Sequence, residues 1–98
     1  MTEIIITKSA NKNKKYSALI DGKKTIHFGS AGMSDFTKHK DEERKQRYIN
    51  RHKKNENWSD PKTAGFMSKH LLWNKPTLTE SIKDTNNRFK NINIKYKN

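Results

Sequence analysis

The chain contains no cysteine. Its absence removes disulfides, thiolate catalysis and thiolate zinc sites together, and argues against a small disulfide-stapled secreted scaffold. Long hydrophobic runs are missing as well. The N-terminal stretch MTEIIITKSANKNKK holds three consecutive isoleucines before polar residues resume, too short for a signal peptide, and nothing later approaches a transmembrane length. The expectation is a soluble intracellular protein with no membrane partner. Glycine and proline number only four and two, while Lys, Asn and Ile are heavily used, a bias that an AT-rich genome would produce. Apolar residues make up 30% of 98 residues, so the chain reads as one domain with a thin core. Its stability can lean on a partner, and a homo-oligomer is one way to supply it.

Acidic side chains are scarce too, 10 against 22 Lys plus Arg, for a net charge of +12. The excess is spread over the chain: residues 1–60 carry 14 basic and 8 acidic side chains, and residues 61–98 carry 8 and 2. Such a field favours a polyanion, DNA or RNA, or an acidic protein or membrane surface.

The charge is most ordered in TKHKDEERKQRYINRHKKN, residues 37–55. As one helix, this stretch places Lys40, Arg44, Arg47, Arg51 and Lys54 at alternating steps of four and three, on a single stripe. Like charges at those spacings repel by a few tenths of a kcal/mol per pair, roughly, unless an anion answers them. Tyr48 and Ile49 on the adjoining face are the expected anchors to the core. Asp41, Glu42 and Glu43 suit the positive end of the helix dipole, and Lys53 and Lys54 the other.

Before this helix, residues 1–14 read as a strand and a polar turn, and residues 15–29 as a β-hairpin around Asp21-Gly22. A two-residue turn would mix apolar and polar residues on both faces. A three-residue loop with a bulge instead pairs Ile20 with Lys24, Ala18 with Ile26 and Tyr16 with Phe28, and is the expected register. Ser34, Asp35 or Thr37 can cap the helix that follows. After it, Asp60-Pro61 opens a helix over 61–74 whose Phe66, Met67, His70 and Leu71 form the main core stripe. Trp58 folds back onto that core. Thr77 and Glu80 form a capping box for a last helix over 78–90, with Leu78, Ile82, Thr85 and Phe89 on one side. Residues 91–98 alternate strictly and read as a strand that joins the N-terminal sheet, or else as a basic tail.

Catalytic chemistry finds little support. The glycines of Gly29-Ser30-Ala31-Gly32 lack the Gly-Lys-Ser/Thr ending of a nucleotide-binding P-loop, and no serine sits in a G-x-S-x-G turn. The four histidines, His27, His39, His52 and His70, show no zinc-binding spacing, and a metal site would need a tertiary set such as His27, Asp35 and His39. Nucleic-acid binding has the stronger physical case. Lys40, Arg44, Arg47, Arg51 and Lys54 are the primary phosphate contacts and Lys23, Lys24, Lys38 and Lys45 the secondary ones. Tyr48, Trp58 and Trp73 stack on bases only where exposed.

Several segments form a joint pattern: Thr25-Ile26-His27-Phe28-Gly29, Ser34-Asp35-Phe36-Thr37, Glu43-Arg44-Lys45, Arg47-Tyr48-Ile49, Thr63-Ala64-Gly65-Phe66 and Leu71-Leu72-Trp73-Asn74-Lys75-Pro76. Over about residues 15–90 it resembles a family of small uncharacterised basic proteins encoded by large and giant DNA viruses. The resemblance implies a viral origin, and with it an infected-cell or virion location. It transfers no site residues and no cofactor.

The expected fold is α+β, a small antiparallel sheet packed against about three helices, the middle one basic. The expected function is sequence-nonspecific binding of nucleic acid by a viral protein. The alternatives are a non-enzymatic virion or interaction module docking on an acidic partner, and a small metal-dependent nuclease.

Overall fold

The computed structural model describes residues 1–32, 34–54 and 58–97. Four strands, β1 (Thr2–Lys8), β2 (Lys14–Ile20), β3 (Lys24–Ser30) and β4 (Ile92–Tyr96), form one sheet in the order β3-β2-β1-β4. The helices are α1 (Phe36–His39), α2 (Glu42–His52), α3 (Ala64–Met67) and α4 (Leu78–Arg88), with a π-helical turn, Ser68–Leu72, continuing α3. This is the expected α+β fold. The sheet is mixed, because β4 runs parallel to β1 and pairs Ile94 with Ile4. The chain reaches β4 through α4, and this crossover delivers the last strand in the same direction as the first.

The hairpin takes the register that its apolar pattern demands: Ile20 faces Lys24, Ala18 faces Ile26 and Tyr16 faces Phe28. Asp21 and Gly22 turn the chain with φ of 52° and 67°, and Lys23 donates to the Ile20 carbonyl, leaving Lys23 as the extra residue. One face of the sheet collects Ile4, Ile6, Ala18, Ile20, Phe28, Ile92 and Ile94. Phe66, Met67, Leu71 and Leu72 cover that face, with Leu78, Ile82 and Phe89 closing its margin. Phe66, Met67, His70 and Leu71 are all buried, as the core-stripe reading requires.

Several boundaries differ from the sequence expectation. The basic segment is two helices instead of one. Lys40 takes a left-handed φ of 54° and closes α1 by donating to the Phe36 carbonyl. Asp41 then caps a fresh start, its carboxylate accepting from Glu43 N at 3.0 Å and Arg44 N at 3.4 Å. A cap residue inside the run thus competes with helix continuation and wins. The run also stops early: α2 ends at His52, Lys53 and Lys54 form a turn, and of this run only Asn55 lies outside the described residues.

The third helix begins at Ala64, where Thr63 accepts from Phe66 N, instead of at Pro61; Asp60 instead receives Lys62 N in a turn. The last helix ends at Arg88, short of Lys90. Its capping residue is Thr77, as expected, accepting from Glu80 N at 3.1 Å. The Glu80 carboxylate returns to the Thr77 hydroxyl.

Candidate nucleic-acid interface

Helix α2 sits at the margin of the fold and is held through its side chains. Tyr48, 8% exposed, lies flat against Trp73 with ring centroids 4.3 Å apart and planes 4° apart. His52 stacks on Tyr48, also at 4.3 Å, and His39 leans on Trp73 at 5.3 Å. Ile49 is half-buried. A second anchor is a cation: Lys45 donates from Nζ to the Asn74 carbonyl at 2.7 Å and lies 4.8 Å from the centre of the Phe36 ring. Lys45 is therefore turned inward and is withdrawn from the phosphate contacts assigned to it by sequence. Helix periodicity explains why: with Tyr48 stacked on Trp73, residue 45, three positions earlier, falls on the same side of α2.

The same rotation sends Arg44, Arg47 and Arg51 to one outward flank. All three are exposed. Arg47 makes a loose pair with Glu43 at 3.7 Å. Neither Arg44 nor Arg51 has a carboxylate partner among the described residues. Lys54 follows in the turn beyond α2, exposed. Lys40 leaves the stripe, because its backbone breaks the helix and its Nζ donates to the Thr37 carbonyl at 3.0 Å. Lys38 is exposed on α1. Lys23 and Lys24 sit at the hairpin tip, the opposite end of β3 from Ser30, about 20 Å away by strand rise. The structure thus assembles Arg44, Arg47 and Arg51 from the predicted set, with Lys54 just beyond, and separates Lys23, Lys24, Lys40 and Lys45 from them.

Sequence reasoning missed two lysines. Lys14 and Lys15 open β2, where Lys14 pairs with Ser30, and both line a cavity of about 350 Å³ bordered by Arg51, Tyr48 and Trp73. Lys15 is tied to the buried carboxylate of Asp35, which also caps α1 by accepting from Thr37 N at 2.9 Å. The one available signal was the Lys14-Lys15 pair beside a strand start, opposite the glycine loop.

The proposed metal set is not assembled. The His27 Nδ1 is bonded to the Ser9 hydroxyl at 2.6 Å, and His39 Nδ1 accepts from Asp41 N at 2.9 Å. Among the described residues, no three His, Asp or Glu side chains converge as metal ligands would. His39 is held below the usual histidine pKa by burial first and the Arg44 charge second. Trp58 is half-buried with the Lys69 ammonium 5.3 Å from its ring centre, and its carbonyl meets His70 Nε2 at 3.1 Å.

The fold and the site define a small α+β domain carrying an arginine row on a peripheral helix, with a cation-bordered cavity at the end of that row. Residues 4–52, half of the chain, match a family of unknown function, DUF5754, and the chain belongs to that family. The matched span runs from β1 to the last residue of α2, so it contains the arginine row, Lys14 and Lys15, but not Trp73. No curated protein and no solved structure matches the chain.

Proposed function

We propose that the protein binds nucleic acid through the phosphate backbone, without sequence preference, in a viral setting. The observation that carries the reading is the flank of α2, where Arg44 and Arg51 are exposed without carboxylate partners among the described residues and Arg47 is only loosely paired. Guanidinium groups one helical turn apart repel unless an anion lies across them, and a phosphate backbone supplies anions in series. Each neutralised phosphate releases a counterion, so affinity comes with a steep salt dependence and little base discrimination. The net charge of +12 adds long-range attraction. The likeness of residues 15–90 to viral proteins supports an infected-cell or virion setting.

The test is a titration of two unrelated duplexes, single-stranded DNA and RNA with wild type and with Arg44→Glu combined with Arg47→Glu. The double variant is expected to weaken binding to every sequence by a similar factor, about ten-fold or more at physiological salt. Equal affinity in wild type and variant removes the claim. Binding of wild type to polyglutamate but to no nucleic acid would instead assign the same cations to an acidic protein partner.

A further inference from the structure

Between the C-terminal end of α2 and the Ser30 end of β3 lies the cavity of about 350 Å³. Its volume falls in the range of small-ligand pockets, about 300–1,000 Å³. The walls divide by chemistry. Phe28 and Leu72 lie beneath the lining, only 1% and 2% exposed, so the apolar surface open to a ligand comes from half-buried Trp73 and the margin of Tyr48. Tyr48 and Trp73 contribute ring edges, because they are stacked face to face on one another. Lys14 from β2 and Arg51 from α2 bring cations from two different elements, and neither is neutralised by a carboxylate among the described residues. Lys15, by contrast, is neutralised by Asp35. The hydroxyls of Ser30, Ser34 and Ser68 also line the space and make no side-chain hydrogen bond to another described residue. A pocket with aromatic edges, unspent hydroxyls and two unspent cations suits a ligand with a flat heteroaromatic part and an anionic part.

The geometry points to this cavity as the seat of one nucleotide, its base against the ring edges of Trp73 and Tyr48, its phosphate between Arg51 and Lys14. The inference rests on the phosphate-binding reading above and deepens it. Arg51 both ends the arginine row and borders the cavity, so a strand whose phosphates follow Arg44 and Arg47 brings its next nucleotide to the opening. A base inside a duplex is stacked and paired, and extruding it costs a few kcal/mol, roughly. An unpaired base enters without that cost. The domain therefore prefers single strands to duplex, a distinction that the arginine row alone does not make.

Two sources share this chemistry, an unpaired nucleotide within a strand and a free nucleoside monophosphate. The experiment titrates the full chain with oligothymidylate, a duplex of equal length and thymidine monophosphate, reading affinity together with tryptophan fluorescence in Trp58→Phe, where Trp73 is the remaining indole. Two variants act on the cavity: Ser68→Phe fills it, and Lys14→Glu, on the opposite wall from α2, reverses one of its charges without touching the arginine row.

The strand is expected to bind about five-fold tighter than the duplex or better, the factor that one well-seated base supplies, and to change Trp73 emission. Ser68→Phe and Lys14→Glu should each erase most of that advantage while the duplex keeps its affinity under Ser68→Phe. Quenching by the monophosphate that both variants abolish would make the free nucleotide a ligand in its own right. Equal affinity for strand and duplex, with Trp73 emission unchanged by all three probes, overturns the cavity proposal and leaves phosphate binding standing. Failure of strand and duplex alike to bind overturns phosphate binding, and the monophosphate arm then decides the cavity alone.

Discussion

The phenol of Tyr48 lies parallel to the indole of Trp73, 4.3 Å away and 4° from coplanar. This contact joins the cationic helix to the body of the fold. It also forms one edge of the cavity, so the positioning of α2 and the shape of the proposed site depend on the same pair. Tyr48→Ala removes a buried aromatic side chain and is expected to cost about 3 kcal/mol in denaturant unfolding. Tyr48→Phe keeps the stack and should stay within about 1.5 kcal/mol of wild type. Wild-type stability in Tyr48→Ala would mean that α2 does not depend on this contact.

Lys45 and Arg44 are neighbours in sequence with different roles. Lys45→Met breaks the bond to the Asn74 carbonyl and is expected to lower stability by about 1–2 kcal/mol while changing nucleic-acid affinity little. Arg44→Ala should do the reverse, holding stability within about 0.5 kcal/mol while affinity falls several-fold. Thermal melts and binding titrations on the two variants read out both halves.

Gly29 is fixed by its surroundings. Its φ is +77°, and a Cβ there would lie 2.7 Å from Leu72 Cδ1 and 3.3 Å from Lys15 Cβ. Gly29→Ala therefore combines a strained backbone with a clash against the core, for an expected loss of about 2–3 kcal/mol. Gly22, with φ +67° and open space around it, supplies the control. Gly22→Ala should cost only about 1 kcal/mol, the conformational penalty alone.

His70 gives the protein a pH-dependent stability. It is 4% exposed, its Nε2 meets the Trp58 carbonyl at 3.1 Å, and Arg88 approaches Nδ1 at 3.5 Å, contacts that suit the neutral ring. Burial pushes its pKa down to about 4, with the Lys69 and Arg88 charges acting in the same direction and the Trp58 carbonyl and Asp84 against it. In the unfolded chain the group titrates near 6.5, roughly, so as pH falls the unfolded state takes up the proton first. The stabilisation is complete above that unfolded value and drains away towards pH 4. His39, shifted in the same direction, adds to the slope. Asp84, held low first by the Asn74 amide, contributes above the unfolded carboxylate value and loses that contribution only at lower pH. Unfolding midpoints should thus fall between pH 7 and pH 4.5 in wild type, and fall less in His70→Gln. Parallel pH curves for the two proteins would contradict the assignment.

Much of the fold was legible in the sequence. The hairpin register followed from five apolar residues, Tyr16, Ala18, Ile20, Ile26 and Phe28, which only one loop length gathers on one face. The capping residue Thr77 was equally plain, since a cap depends on nearest neighbours, whereas the alternating tail read as either a strand or a basic tail, and the structure makes it β4. The parallel direction of β4 was not, because alternation fixes which side chains share a face and says nothing of strand direction. The basic stripe was half legible. Periodicity grouped Arg44, Arg47 and Arg51, but Asp41, read from sequence as a first-turn acid, is used by the structure as a cap, which removes Lys40. The inward turn of Lys45 depends on Trp73 and Asn74, nearly thirty residues away. The cavity, built from β2, β3, α2 and the π-helical turn, has no local signature.

The most direct measurement is the salt dependence of binding to a duplex and to a single strand. With Arg44, Arg47 and Arg51 each neutralising a phosphate, log affinity for the duplex should fall against log salt with a slope of about −3 or steeper, and Arg51→Ala should reduce that slope by about one. A slope near zero, or one unmoved by Arg51→Ala, would contradict phosphate recognition by the arginine row.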